Sequence, residues 1–160
     1  MVWQTELFPR ASEVEIQRTK FLLERYMKMR LLMFDFEQNE EELRQVAIDG
    51  EVARRIDPED LHADKTANAA VLAEKQLWVY EQYKLYTRQL QRAAALIQDE
   101  ETRQAVELRY MKGLSYKETI LFFKHGLSRS TVRRKLLEGA RSIADTLKLM
   151  GFFDNDNAQF

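Results

Sequence analysis

Cysteine is absent from this chain of 160 residues, which excludes disulfides, thiolate metal sites and cysteine nucleophiles, and suits a cytoplasmic location. With two prolines and five glycines, backbone breaks are scarce, so an all-α chain of long helices is expected. His62 and His125 are the only histidines, and neither stands in an H-E-x-x-H spacing. Without a G-x-S-x-G or a Gly-rich phosphate loop either, the residues supply no constellation for catalysis, no metal set and no cofactor site. The apolar run from Leu31 to Phe34 is broken by Lys28, Arg30 and Asp35, which argues against a membrane span.

What remains is 45% hydrophobic and 32% charged, the balance of a folded chain and unlike that of a disordered one. The net charge of −1 hides a division. Residues 1–102 hold 14 Lys/Arg and 20 Asp/Glu, residues 103–148 hold 11 and 4, and the tail adds Asp154 and Asp156. The three parts therefore carry −6, +7 and −2. Counterion release favours a DNA partner on the basic part, whereas phosphate repels the acidic part, which must serve another purpose.

Within the basic part, residues 108–147 read as a helix-turn-helix. Gly113 closes one helical pattern, and Ser115 with Glu118 has capping-box spacing, so a short helix begins there. Tyr116, Ile120 and Phe123 share its apolar face, and Gly126 is expected to take a left-handed conformation in a turn over Lys124 to Leu127. Ser128 is the N-cap of a longer helix, which buries Val132, Leu136, Ala140 or Gly139, Ile143 and Leu147 on one face. At 100° per residue the opposite face presents Ser130, Arg134 and Arg141, flanked by Arg129, Thr131, Arg133 and Lys135. Arginine forks and hydroxyls are the groups that read base edges in a major groove, while Lys117 on the short helix suits a phosphate. A solvated cationic face explains a lone basic helix as well; two capped helices around a turn shift the reading to DNA.

The run LRYMKGLSYKET, then GLS, then STVRRKLLEGAR resembles the region 4 helix-turn-helix of sigma-70-type factors. A helical half ahead of it, and the ending STVRRKLLEGARSIADTL, are more similar to ArpU/RinA-like phage and prophage transcriptional regulators. The likeness covers residues 96–148 and implies a late-gene activator that contacts double-stranded DNA and RNA polymerase. One departure lies in the 14 steps between Lys117 and Thr131, where the sigma pattern has about 12. The turn is enlarged around Phe123 to His125.

The acidic part reads as long helices, a helical hairpin or a coiled-coil-like pair. Residues 1–11 have no period and form an arm, after which Ser12 with Glu15 opens a helix expected to reach Gln38. Leu22, Tyr26, Met29, Met33 and Phe36 recur at fours and threes along it, a seam that plain core packing and a homodimer interface explain equally. Asn39 ahead of three glutamates marks another start, and Asp57 before Pro58 a third. The longest pattern spans residues 65–98, carrying Leu72, Val79, Tyr83, Tyr86, Leu90, Ala93 and Ile97. It would measure about 50 Å at a rise of about 1.5 Å per residue.

The expected organisation is therefore a partner or oligomerisation region at 1–98, a DNA-binding domain at 99–150 and a tail at 151–160, and a fragment of about residues 97–150 is expected to keep weak, salt-sensitive DNA binding. A phage small terminase-like packaging subunit, which also joins a helix-turn-helix to oligomerising helices, is the second reading, and oligomer size separates the two. A helical adaptor that does not bind DNA is the third.

Overall fold

The computed structural model describes residues 7–56, 61–123 and 126–154, which form helices and their connections with no strand among them. In chain order these are α1 (Glu13–Glu24), α2 (Tyr26–Ile56), α3 (Leu61–Ala95), α4 (Glu100–Val106), a π-helical segment (Glu107–Met111), α5 (Tyr116–Phe122) and α6 (Arg129–Leu149). None of them is long and apolar enough to cross a membrane. The arm residue Trp3, the cap at Asp57 and Pro58, the turn residues Lys124 and His125, and the tail beyond Asp154 lie outside the described residues.

Two helix limits differ from the sequence pattern. The helix that opens at Ser12 stops at Glu24, because the Arg25 amide bonds back to the carbonyls of Leu22 and Leu23 and tightens the last turn. Arg25 then lays its guanidinium 3.5 Å from the centre of the Phe21 ring. Conversely, Asn39 starts nothing. Its side-chain amide donates to the Asp35 carbonyl at 2.9 Å, one turn back, and α2 continues for 31 residues in all. Charged and amide pairs four apart carry it onward: Arg44 donates to Glu40 at 2.7 Å, Gln45 to Asp49 at 2.8 Å and Arg55 to Glu51 at 2.7 Å. An acid run that resembles a helix start is here the middle of a helix.

The chain forms two compact units. One comprises residues 28–85. In it α2 and α3 pair antiparallel, since Phe36 meets Tyr80 edge-on at 6.1 Å while Gly50 lies against Ala70. At the Phe36 end the pair is held by Met33, Leu32, Val79 and Tyr83, and the Tyr80 hydroxyl donates to Glu37 at 3.1 Å. Burial, then that carboxylate, raises the Tyr80 pKa, so the phenol stays a neutral donor. At the other end a Cβ on Gly50 would lie 2.1 Å from that of Ala70, so the helices touch through small residues.

The other unit comprises residues 1–27 and 86–160, so the basic segment does not fold around itself alone. Its α6 packs against α4 on one side and α1 on the other. Leu23 of α1, Leu90 of α3, Val106 of α4 and Val132, Ile143 and Leu147 of α6 are fully buried. Two threonines share this interior, Thr19 and Thr119, each donating its hydroxyl to the carbonyl four residues back at 2.9 Å. Glu15 of α1 pairs with Lys148 of α6 at 2.9 Å. Burial raises the Glu15 pKa, but the Ser12 amide and the Lys148 ammonium outweigh it and hold the carboxyl below its usual range. Phe152 turns back onto Tyr86, edge-on at 5.6 Å. A fragment of residues 97–150 would lack α1 and Leu90, which belong to the same unit as α6.

The seam of Leu22, Tyr26, Met29, Met33 and Phe36 is buried within the single chain. Core packing accounts for it without a second copy.

Candidate nucleic-acid interface

The basic helix is positioned by a series of local devices. Asp99 caps α4, accepting from the Thr102 amide at 3.1 Å. After α4 the backbone widens into the π-helical segment, ended by the Lys112 amide bonding to the Glu107 carbonyl at 2.8 Å. Gly113 reverses the chain with φ +74°, and Ser115 and Glu118 form the expected reciprocal box at 3.1 and 3.3 Å. Gly126, by contrast, is not left-handed, for only Gly113 and Gly151 have positive φ among the described residues. The turn is instead drawn together by one oxygen, the Phe123 carbonyl, which accepts from the Gly126 and Leu127 amides at 2.9 Å each. Ser128 caps α6 through the Thr131 amide at 3.2 Å, and its hydroxyl lies 2.8 Å from that of Thr131 and 3.2 Å from that of Ser130.

The cationic face stands where the helical period puts it. Arg129, Ser130, Arg133, Arg134 and Arg141 are exposed on α6, and Lys117 is exposed on α5. Thr131 is half-buried beside its cap. Arg134 is two-thirds exposed, with Glu138 one turn on at 3.6 Å, a weak surface pair that leaves the guanidinium available.

Lys135 departs from the expectation. Its side chain is only 13% exposed, and its ammonium lies 2.8 Å from Asp99 and 4.0 Å from Glu101 at the start of α4. The lysine ties α6 to α4 and is not held ready for phosphate. On the Asp99 side, the bond from Lys135, then those from the Thr102 hydroxyl and amide, hold the carboxyl down from 3.8 to about 2. Because the folded value lies below the unfolded one, its stabilisation is complete above about pH 5 and is withdrawn as the pH falls toward 2. Thermal melts of the parent and Asp99→Asn from pH 6 to 2 check this. The two curves should converge in acid, and a constant gap between them would mean that ionisation of Asp99 contributes nothing.

Beside the N-terminal half of α6 runs a groove of about 680 Å³, which sequence reasoning did not anticipate. Lys20 and Glu24 of α1 form one wall, Arg109 and Tyr110 of the π-helical segment another, and Arg133 and Arg134 of α6 a third. Tyr116 also lines it, and its buried hydroxyl has no hydrogen-bond partner. Arg109 donates to the Leu114 carbonyl at 3.3 Å. Burial pushes the Tyr110 phenol up, so this ring too is a neutral donor at neutral pH.

No protein-family model, curated protein or solved structure matches this chain. Lys20 and Arg109 carried no visible signal, Lys20 because it sits in the acidic part, Arg109 because an α-helical period cannot announce a π turn. The exposed arginines of α6 were legible because their phase is fixed by the buried stripe on the same helix.

Proposed function

We propose that this protein is a DNA-binding transcriptional regulator that presents α5 and α6 to duplex DNA as a sigma-70 region 4-like helix-turn-helix. The observation that carries the reading is the face of α6 opposite its fully buried stripe, where Ser130, Arg133, Arg134 and Arg141 stand exposed just beyond a serine cap. A capped helix start with hydroxyls and guanidinium forks in its first turns is what reading of major-groove edges uses. The +7 segment supplies the electrostatic attraction. The likeness to ArpU/RinA-like regulators adds the roles of phage or prophage late-gene activation and contact with RNA polymerase. Selection of bound duplexes from random sequence, followed by transcription from the selected site with and without the protein, tests these roles; no effect on transcript level would remove them.

The central test compares two single substitutions. Arg134→Ala should cost about 1 to 3 kcal/mol at one base position of a selected site, and little on scrambled duplex. Lys117→Ala should weaken both duplexes alike and flatten the salt dependence by about one unit. Titrations on both duplexes across a salt series separate these outcomes. If Arg134→Ala loses equally on the two DNAs, Arg134 is a phosphate anchor and another face of α6 reads the bases.

A further inference from the structure

We propose that the groove flanked by α1, the π-helical segment and α6 seats a phosphodiester of the DNA backbone, with Lys20 and Arg109 as its ligands beside Arg133. This rests on the DNA-binding reading above and extends the interface to a helix more than a hundred residues earlier in the chain.

The argument begins with charge left unmatched. Lys20 and Arg109 are half-buried, and neither has a carboxylate within 4.0 Å among the described residues, nor does Arg133. Partial burial of a cation removes water that something else has to replace. One donor of Arg109 goes to the Leu114 carbonyl, and the rest of its fork faces no acid. Glu24 is the single carboxylate on the walls, against Lys20, Arg109, Arg133 and Arg134. Three elements distant in sequence thus bring four cations and one anion to one groove.

Tyrosine hydroxyls complete a phosphate's usual company on proteins, together with lysine and arginine. Tyr110 supplies a phenol at this groove. The groove lies open along α6 on the side of the helix that carries Arg133 and Arg134, which favours a strand passing by over an enclosed small molecule. The π turn fits the same account, for widened turns of this kind often occur at functional sites. Here the segment itself carries Arg109 and Tyr110.

The test uses the full chain. Lys20→Gln and Arg109→Gln should each weaken binding about tenfold at low salt, equally on selected and scrambled duplex, and flatten the salt dependence by about one unit. Lys20→Arg, which keeps the charge, should restore the slope and shows that any loss is not one of folding. Arg55→Gln, an exposed cation of the other unit, should leave the slope unchanged. Parental affinity and slope in both glutamine variants would overturn the phosphate seat while leaving the reading of α6 intact. Loss on the selected duplex alone would also overturn it, making these residues base readers. Saturable binding of adenosine monophosphate that Lys20→Gln abolishes, with duplex affinity untouched, would replace it by a small-ligand pocket. If the parent chain binds no duplex at low salt, the DNA-binding reading itself fails and takes the seat with it.

Discussion

A chain shortened to begin at Tyr26 is expected to lose the fold around α6, even though every residue expected to touch DNA on α5 and α6 is still present. Helix α1 packs against α6, carries Ile16, Leu22 and Leu23, each less than 9% exposed, and adds the Glu15 to Lys148 pair. Removing the burial of three such side chains withdraws about 5 to 9 kcal/mol at about 1.5 to 3 kcal/mol each. That is of the order of the whole stability of a domain, about 5 to 15 kcal/mol. Amide hydrogen exchange reads this locally: α6 should lose protection in the shortened chain while the parts of α2 and α3 within residues 28–85 keep theirs. Protection of Ile143 and Leu147 equal to the parent's would show that α4 alone suffices to hold the helix.

The second large effect is expected at Gly139, where α6 lies against Val106 and Thr102 of α4. A Cβ there would lie 2.4 Å from Val106 Cγ2 and 3.3 Å from Thr102 Cγ2. Val106 is fully buried, so it has nowhere to retreat. Alanine in place of glycine gains about 1 kcal/mol of helix propensity. Overpacking costs about 1 to 3 kcal/mol, so Gly139→Ala should come out mildly destabilised and Gly139→Leu by about 3 kcal/mol. Urea titration followed by near-ultraviolet circular dichroism gives both values. An alanine variant more stable than the parent would mean that α4 and α6 separate at little cost, and the tight contact would lose its importance. Where the contact is forced apart, the Lys135 to Asp99 tie on the same side should strain with it, so DNA affinity should fall along with stability.

What the sequence revealed was mostly local. Ser12 with Glu15 and Ser115 with Glu118 were readable as capping boxes because both partners lie within one turn. Ser128 was readable for the same reason, and Val132, Leu136, Ile143 and Leu147 because their spacing follows the helical period. What escaped was set by partners far along the chain. Lys135 looked like its exposed neighbours until Asp99, 36 positions earlier, claimed it. Asn39 looked like a cap because the pairs that carry α2 onward come after it. The apolar seam from Leu22 to Phe36 was visible, yet the pattern could not say that the break at Arg25 splits it between two helices. At the candidate interface, periodicity found the α6 face, and only the three-dimensional meeting of α1 with the π-helical segment found Lys20 and Arg109.

The pairing of α1 with α6 also has a consequence for the order in which the molecule acquires its shape during synthesis. Glu15 and Lys148 stand 133 positions apart, so their contact waits until the whole stretch between them has been made. Closing so long a loop is entropically slower than forming neighbouring contacts. The antiparallel pair within residues 28–85 needs far less chain and can settle while the rest is still being added. Leu22 and Leu23, buried in the folded unit, are made long before α6 and stay without its cover until α6 follows.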